Sequence, residues 1–243
     1  MVKTKNFIPI VLLGALPAMM LLLHGYIGSF TRYIADDYCS AYWAERFGLL
    51  RSVWHWYITW SGRFSAYASD WFIMLIGARN VRFIPPIVLI LWLAITTFAL
   101  YLYVRRILSK ENAFGLSLLL SVVFIFSMLL LSPNIQQSFF WWNGMRSYNL
   151  PLIFLTLFAL VFQLASEKLT TVKSIVLGSL FTLVFFFLNA GLSDTFAVAQ
   201  FTLLGILIFL WLINPEHRKA DLAIPSAGLL GTALAIIVII LSP

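Results

Sequence analysis

Charged residues and cysteines are both scarce in this 243-residue chain. Asp, Glu, Lys and Arg together make up 10% of it, hydrophobic residues make up 62%, and the mean hydropathy is +0.96. A water-soluble domain of this length could not cover so much apolar surface with polar side chains, so the composition excludes that class and indicates a polytopic membrane protein. The single cysteine, Cys39, excludes an internal disulfide framework and a cysteine-based zinc cluster.

Long basic runs are lacking as well, although the formal net charge is +7. The sixteen Lys and Arg residues are scattered between apolar segments and form no run of five or more, which disfavours a nucleic-acid partner. The three histidines, His24, His55 and His217, do not have the spacing of a zinc site. Neither a P-loop nor a dinucleotide-binding glycine pattern occurs, which disfavours a soluble nucleotide-sugar substrate.

Seven apolar segments come close to the length of about 20 helical residues that crosses the hydrocarbon core of a bilayer. They lie near Phe7–Gly28, Phe83–Val104, Phe114–Leu131, Leu150–Ala165, Ser174–Leu192, Thr195–Ile213 and Leu222–Leu241. The sequence therefore predicts an all-α fold, a polytopic membrane helical bundle with about seven transmembrane helices in a single module, residues 1–243.

An eighth apolar segment, Phe64–Gly77, is shorter and contains Asp70. If this segment does not cross the membrane, all six lysines fall on the side of the N-terminus, as the positive-inside rule expects. We therefore predict a cytoplasmic N-terminus and place Phe64–Gly77 at the outer interface. The outer face then receives a first loop of residues 29–82 and a second loop of residues 132–150.

The first outer loop carries two adjacent carboxylates, Asp36 and Asp37, among many tyrosines and tryptophans. Such aromatic residues settle at the level of the lipid headgroups, so the acid pair is predicted to lie at the lipid boundary. Apolar residues recur at helical spacing in two stretches of this loop: Trp43, Phe47, Leu50 and Trp54, then Phe64, Tyr67, Trp71 and Leu75. This spacing predicts two juxtamembrane helices, for which simple membrane anchoring is the alternative interpretation.

The second outer loop combines amides with flat aromatic rings. Asn143 can bond sugar hydroxyls, while Trp141, Trp142 and Tyr148 offer apolar faces on which a pyranose ring can stack. These residue types are typical of a carbohydrate site. A belt of Trp and Tyr at the membrane interface is the alternative.

The cations predicted on the outer face are all arginines: Arg32, Arg46, Arg51, Arg63, Arg79, Arg82 and Arg146. The planar guanidinium group suits phosphate oxygens, so an arginine-only face favours an anionic lipid headgroup, although arginines that merely snorkel to the interface give the same pattern. Asp70 and Asp194 are further candidates for substrate binding. Capping of a helix by Ser193 or Asp194 would explain that segment equally well.

Three short segments, together with this order of spans and loops, resemble a known family. They are ADDY at residues 35–38, WSGR at residues 60–63 and WWNGMRSYNLP at residues 141–151. The chain resembles the N-terminal seven-span module of the GT-C superfamily of integral-membrane glycosyltransferases, of the bacterial multispanning type. Full-length members usually continue into further spans or a soluble domain, so the resemblance is to the N-terminal part of a larger enzyme.

This resemblance implies transfer of a sugar from a polyprenyl-phosphate donor to a glycan, lipid or protein acceptor at the outer face of the bacterial cytoplasmic membrane. Asp36 or Asp37 would be the general base that deprotonates the acceptor hydroxyl. Some members use a divalent metal, for which Asp36 and Asp37 are the candidate ligands of Mg²⁺ or Mn²⁺. Arg63 and Arg146 are our candidates for the donor phosphate, and Trp60 is a further candidate for substrate binding.

Two other classes of function stay open from the sequence. A transporter or a flippase for lipid-linked sugars predicts ionisable or helix-breaking residues near the bilayer midplane, whereas the charges of this chain lie in loops and helix mouths. A non-catalytic membrane scaffold would not require acids and amides to converge on one face. The sequence therefore favours an enzyme with an interfacial site.

Overall fold

The computed structural model describes residues 7–165, 169–213 and 219–243, which are helical with no β-strand in these ranges. The α-helices are α1 (Phe7–Gly28), α2 (Asp36–Thr59), α3 (Phe64–Ile76), α4 (Ile84–Val104), α5 (Lys110–Leu130), α6 (Trp142–Ala165), α7 (Val172–Ala190), α8 (Asp194–Leu212) and α9 (Lys219–Ile240). A 3₁₀ turn, Val81–Phe83, precedes α4, and a π-helical turn, Gln136–Phe140, precedes α6. Lys3, Lys5, Lys168 and Arg218, on which the predicted topology partly rests, lie outside the described residues.

Within the described residues, six helical segments are long and apolar enough to cross a membrane: Val81–Val104, Lys110–Leu130, Trp142–Ala165, Val172–Ala190, Asp194–Leu212 and Leu222–Ile240. A helix satisfies its own backbone hydrogen bonds, which is what hydrocarbon demands of a crossing segment. The prediction of an all-α membrane bundle is therefore confirmed. The predicted first span is helical as α1, but its apolar part with described side chains, Leu13–Gly28, is shorter, so a seventh crossing stays a prediction.

The predicted second outer loop is largely helical. Helix α6 begins at Trp142, eight residues before the predicted start of its span at Leu150, and Pro151 lies inside the helix rather than at its first turn. The early turns are held from outside the helix, because the Asn149 side chain donates to the backbone of Ser138 in the π-helical turn. This contact with the neighbouring turn stabilises a helix that begins well before its proline, although proline is most frequent in the first turn of a helix.

Helices α2 and α3 cover one end of the bundle, which we call the cap end. The Tyr57 hydroxyl donates to the carbonyl of Val238 in α9 at 2.7 Å, and the Ser242 hydroxyl donates to the carbonyl of Tyr57 at 2.8 Å. Gly62, between α2 and α3, lies so close to α9 that an added Cβ would fall 2.6 Å from the carbonyl oxygen of Ile239. Glycine at this position lets the backbone of the α2–α3 connection rest on α9.

Helix α2 bends back on itself at Gly48, where the backbone adopts φ 73° and ψ 176°. The ring of Trp43 stacks on that of His55 at 3.6 Å, although a straight helix would separate these positions by roughly 18 Å along its axis. The prediction that Trp43, Phe47, Leu50 and Trp54 lie on one continuous helical face is therefore wrong. Trp43 lies between the two arms, whereas Leu50 and Trp54 are exposed.

The other half of the bundle, α7 to α9, is joined by uncharged polar side chains. Asn189 of α7 donates to the Gln200 side chain of α8 at 2.8 Å, and Gln200 donates to the Thr232 hydroxyl of α9 at 2.7 Å. Such bonds contribute on average about 0.6 kcal/mol each between transmembrane helices. Gly231 of α9 lies directly against the carbonyl of Leu183 in α7, so small residues also let these helices approach closely.

Candidate functional site

A cavity of about 400 Å³ opens at the cap end between α2, α3 and α6. Most of the predicted site residues line it: Asp36, Trp60, Arg63, Trp141, Asn143, Arg146 and Tyr148. They come from three separate stretches of the chain, so the fold has brought together the ADDY, WSGR and WWNGMRSYNLP segments. Asp37, Asp70, Trp142 and Asp194 were also predicted as site residues, and they lie outside its lining.

The two adjacent acids have different surroundings. Asp36 is exposed and lines the cavity, and no other described side chain engages its carboxylate. Asp37 is fully buried, and both of its oxygens accept hydrogen bonds: Oδ2 from the backbone N–H of Ile34 at 3.0 Å and Oδ1 from the Asn143 amide at 3.4 Å. The pair therefore divides into one carboxylate that faces the cavity and one that holds the structure around it.

The turn in front of this pair is strained. Ala35 has φ 47°, a region that residues other than glycine rarely occupy. Asp37 holds the turn from both sides, because its side chain accepts from Ile34 N–H while its own N–H donates to the Ile34 carbonyl at 3.0 Å. The Trp141 indole donates to the same carbonyl at 3.2 Å, which ties the turn to the start of α6. A strained backbone kept by several contacts is typical of functional segments.

Burial changes the titration of the groups in this turn. Loss of water raises the pKa of Asp37 to about 6, and the Ile34 N–H, the Arg146 charge and Asn143 act against the rise. Burial, followed by the negative charge of Asp37, raises the pKa of Tyr33 to about 12. The Tyr33 hydroxyl donates to the carbonyl of Ile73 at 2.7 Å, so the turn is also fastened to α3.

Arg146 lies in the wall of the cavity as one half of a buried ion pair. Its Nη1 donates to the Asp70 carboxylate and, at 2.7 Å, to the carbonyl of Ala66, and its guanidinium lies 5.5 Å from the centre of the Tyr67 ring. Burial raises the pKa of Asp70, while Arg146 opposes the rise. Asp70 is the ion-pair partner of Arg146. Because it is fully buried, its carboxylate cannot reach a ligand in the cavity.

Arg63 is the less neutralised of the two predicted phosphate ligands. Its side chain is 34% exposed, and its nearest acid, Asp194, stands 3.9 Å away and is itself 59% exposed. So long a pair, with both side chains partly exposed, contributes little to stability. Asp194 begins α8, whose cap is Ser193: the Ser193 side chain accepts from the N–H of Phe196 at 3.4 Å.

Aromatic rings and one glycine shape the cavity floor. Trp56 stacks on Tyr67 at 6.0 Å, and the Tyr67 hydroxyl bonds Ser61 at 2.5 Å. Gly144 lies against the carbonyl oxygen of Gln137, so a side chain there would overlap the π-helical turn. The glycine lets that turn rest against α6 beside Asn143, which lines the cavity.

Trp142 faces the opposite side of the wall. It lines a second, apolar groove of about 480 Å³ between α3, α6 and α7, together with residues such as Leu150 and Phe154. Trp141 precedes α6 with an extended backbone, φ −98° and ψ 127°, whereas Trp142 is the first residue of the helix, and the two side chains line different cavities. The structure thus separates Trp142 from the other predicted sugar-stacking residues.

The acid pair does not have the geometry of a divalent-metal site. Magnesium and manganese prefer oxygen ligands, yet both oxygens of Asp37 already accept from N–H donors, and only Asp36 lines the cavity. Among the described residues, no three His, Cys, Asp or Glu side chains cluster closely enough to hold an ion. The residues present therefore do not fit an ion shared by Asp36 and Asp37.

Several cavity residues were missed in the sequence, and helical spacing could have found them. Ser40 follows Asp36 by four residues, Tyr67 follows Arg63 by four, and Ser147 follows Asn143 by four; all line the cavity. Residues four apart share one face of a helix. Trp56, Cys39, Ala66 and Gly144 complete the lining.

The cavity offers a free carboxylate, a loosely paired guanidinium, amide and hydroxyl groups, and flat aromatic walls. This set can bind a ligand that has hydroxyl groups and an anionic group, and the carboxylate can accept a proton. No family model, curated protein or solved structure matches this chain.

Proposed function

We propose that the protein is a membrane glycosyltransferase of the GT-C type, or the N-terminal module of one, which transfers a sugar from a polyprenyl-phosphate donor to an acceptor hydroxyl. The observation that carries this proposal is the cavity that joins Asp36 and Arg63 with the aromatic residues Trp60, Trp141 and Tyr148. A sugar ring stacks on aromatic faces, a phosphate pairs with arginine, and a carboxylate accepts the proton of an attacking hydroxyl. Each requirement has a candidate side chain in the lining.

Asp36 is the general base in this proposal, because it faces the cavity whereas Asp37 does not. As the acceptor oxygen attacks the anomeric carbon, its proton passes to Asp36, and the bond from that carbon to the phosphate oxygen breaks. The polyprenyl phosphate leaves with the bonding electrons, and direct attack inverts the anomeric centre. Asp37 keeps the strained turn in place and so positions Asp36.

Arg63 is the cation that stabilises the phosphate of the donor and of the leaving group. Its pairing with Asp194 is long and weak, so the guanidinium can bind an incoming phosphate instead. Arg146 has a different role, because Asp70 already balances its charge. It fixes α6 to α3 and so holds the cavity wall.

The cap end faces the outside of the bacterial cytoplasmic membrane in this proposal, with the N-terminus and the lysine-bearing loops inside. The arginine-only composition of the predicted outer segments supports this orientation. Helix α3 is only 13 residues long and packs under α2, which suits a helix at the interface rather than a crossing.

Labelling with a membrane-impermeant maleimide tests the orientation. The single native cysteine, Cys39, is exposed and lines the cavity, so intact cells should label it from outside. In a Cys39→Ser background, Lys110→Cys should be labelled only after the membrane is opened. The opposite pattern would place the cavity in the cytoplasm and remove this part of the proposal.

A donor assay tests the activity. The protein in nanodiscs is given a panel of synthetic short-chain polyprenyl-phosphate sugars, and radiolabel transfer to cell-envelope extracts is measured together with donor binding. We expect binding and transfer for at least one donor, with Arg63→Lys weakening donor binding by roughly 1–3 kcal/mol because lysine lacks the forked contact. Exposed Arg79→Lys is the matched control and should leave binding unchanged. Failure of every donor to bind would contradict the proposal.

A transporter is less well supported by the arrangement of charges. In the described helices α4 to α8, the Asp, Glu, Lys and Arg residues lie in the first two turns, at Lys110, Glu111, Arg146, Lys173 and Asp194. Gln200 of α8 and Thr232 of α9 are bonded to each other, and the buried Thr96 and Thr97 within α4 carry no charge. A transport site near the midplane is expected to contain ionisable groups.

A further inference from the structure

The turn between α7 and α8 holds the first turn of α3. The N-cap residue of α3, Arg63, makes no capping hydrogen bond with its side chain, although the first N–H groups of a helix need acceptors from elsewhere. The carbonyl of Gly191, in the α7–α8 turn, accepts from the N–H of Ser65 at 3.1 Å and from that of Ala66 at 3.4 Å. These are the second and third residues of α3, whose N–H groups an N-cap side chain normally bonds. A backbone carbonyl from a distant segment therefore takes the place of the N-cap side chain.

Residue 191 is a glycine for reasons of space. Its backbone, with φ −66° and ψ −5°, has a right-handed conformation that alanine also adopts. An added Cβ, however, would lie 2.4 Å from the Phe64 ring and 2.6 Å from Ser65 Oγ. The Phe64 ring stacks on Phe187 at 4.8 Å, and Ser65 Oγ is buried, so neither has free room to withdraw. Glycine thus lets the α7–α8 turn come within hydrogen-bond distance of α3.

The first turn of α3 contacts both arginines of the cavity. Arg63 begins this turn, and Ala66 lines the cavity beside it. The Ala66 carbonyl accepts from Arg146 at 2.7 Å, while the Ala66 N–H donates to Gly191. Asp194, which follows the same α7–α8 turn, lies 3.9 Å from Arg63. A shift of the α7–α8 turn would therefore move groups that line the cavity.

The position of the Arg63 guanidinium depends mainly on its backbone. Its Nε is buried and has no hydrogen-bond partner, and its ion pair with Asp194 is long. Side-chain contacts of this kind fix a guanidinium weakly. Gly191 is itself buried and outside the cavity lining, so it can affect a ligand only through the turn that it holds.

We propose that Gly191 is a positioning residue of the donor site: its carbonyl caps α3 from the α7–α8 turn and so sets where the Arg63 guanidinium lies in the cavity. This inference rests on the proposed function, in which Arg63 binds the donor phosphate. None of the described residues of α7, α8 and α9 lines the cavity. This half of the bundle therefore acts on the donor site from outside it, through Gly191.

Binding of radiolabelled farnesyl phosphate to the full chain in nanodiscs tests the inference, with empty nanodiscs as the blank and farnesol as a competitor that lacks the phosphate. Gly191→Ala should weaken binding by about tenfold, because a displaced guanidinium loses part of a charge-assisted hydrogen bond. In an Arg63→Lys background the same change should alter binding by less than about twofold, since lysine has already lost the forked contact. Gly205→Ala is the matched control, because open space surrounds Gly205 in α8, and it should leave binding unchanged.

Wild-type binding by a folded Gly191→Ala protein would overturn the proposal. An equal loss of binding in both backgrounds would also overturn it, because Gly191 would then act on the fold in general and not through Arg63. If Gly191→Ala does not fold, hydrogen exchange of the wild-type protein decides: slow exchange at the Ser65 and Ala66 amides supports the capping by Gly191, and exchange as fast as in an unstructured peptide overturns it. Failure of the wild-type protein to bind farnesyl phosphate would contradict the proposed function instead, and the same exchange measurement would still test the capping.

Discussion

Helices α3 and α6 carry two different surfaces back to back. On one side, Asp36, Arg63 and Asn143 contribute to a polar cavity with aromatic walls; on the other, Leu150 and Phe154 line an apolar groove. The buried pair of Arg146 and Asp70 lies in the wall between them. The comparison shows how the wall separates the two arginines. Arg146 is paired with Asp70 inside the wall, whereas Arg63 has only a long ion pair with Asp194 and can bind an anion in the cavity.

The cavity side and the groove side of this wall also differ in the expected effects of mutations. Trp141 faces the cavity and bonds the strained turn before α2, whereas its neighbour Trp142 faces the groove. Mutations on the cavity side should therefore act on binding and transfer. Mutations within the wall should act on stability.

The largest expected effect separates the two acids of the turn. Asp36→Asn should lower sugar transfer by on the order of 10²-fold or more while leaving the thermal unfolding midpoint unchanged, because it removes the proposed base from an exposed position. Glu45→Gln, a similar change at another exposed position of α2, should keep full activity. Transfer at the wild-type rate by Asp36→Asn would end the assignment of Asp36 as the base.

Breaking the ion pair in the wall should have the largest effect on stability. Arg146→Gln leaves Asp70 buried without its partner, so the free energy of unfolding in mixed micelles should fall by about 3–5 kcal/mol. The exposed arginine variant Arg79→Gln should change it by less than about 0.5 kcal/mol. Equal effects of the two variants would show that the pair does not hold the wall.

Gly144 tests how closely the π-helical turn rests on α6. Gly144→Ala would overlap the Gln137 carbonyl, and the free energy of unfolding should fall by about 1–3 kcal/mol. Gly115→Ala is the control, because open space surrounds Gly115 in α5 and alanine is the better helix former. A Gly144→Ala protein as stable as the control would contradict the close packing of this turn.

The smallest effect concerns pH. Because the pKa of Asp37 is raised to about 6, the folded protein binds a proton that the unfolded chain has already lost at pH 4 to 6. Stability should therefore fall as pH rises through this window and then level off. Asp37→Asn should make the slope shallower, although Asp70, whose pKa is also raised, contributes in the same direction. Stability that rises with pH across the window would contradict the buried state of Asp37.

The helical bundle could be predicted from the sequence because long apolar segments have few other ways to satisfy their backbones. The cavity was predicted in part. Asp36, Arg63 and Asn143 were named from residue chemistry and meet in one cavity, and spacing by four would have added Ser40 and Tyr67.

The rest depended on contacts between distant segments. Adjacent acids look equivalent in a sequence, and only the amide of Asn143 and the turn at Ile34 distinguish Asp37 from Asp36. The reversal of α2 depends on the conformation of Gly48, which helical periodicity does not report. The pairing of Arg146 with Asp70 joins residues 76 positions apart.

Protection of Cys39 tests the central claim most directly. Cys39 is exposed in the cavity beside Asp36, so a bound polyprenyl-phosphate sugar should slow its alkylation by a small maleimide. The account predicts slower alkylation with a donor analogue, and loss of this protection in Arg63→Gln. Alkylation of the wild-type protein at an unchanged rate, while the analogue is bound in a parallel measurement, would contradict the claim that this cavity is the donor site.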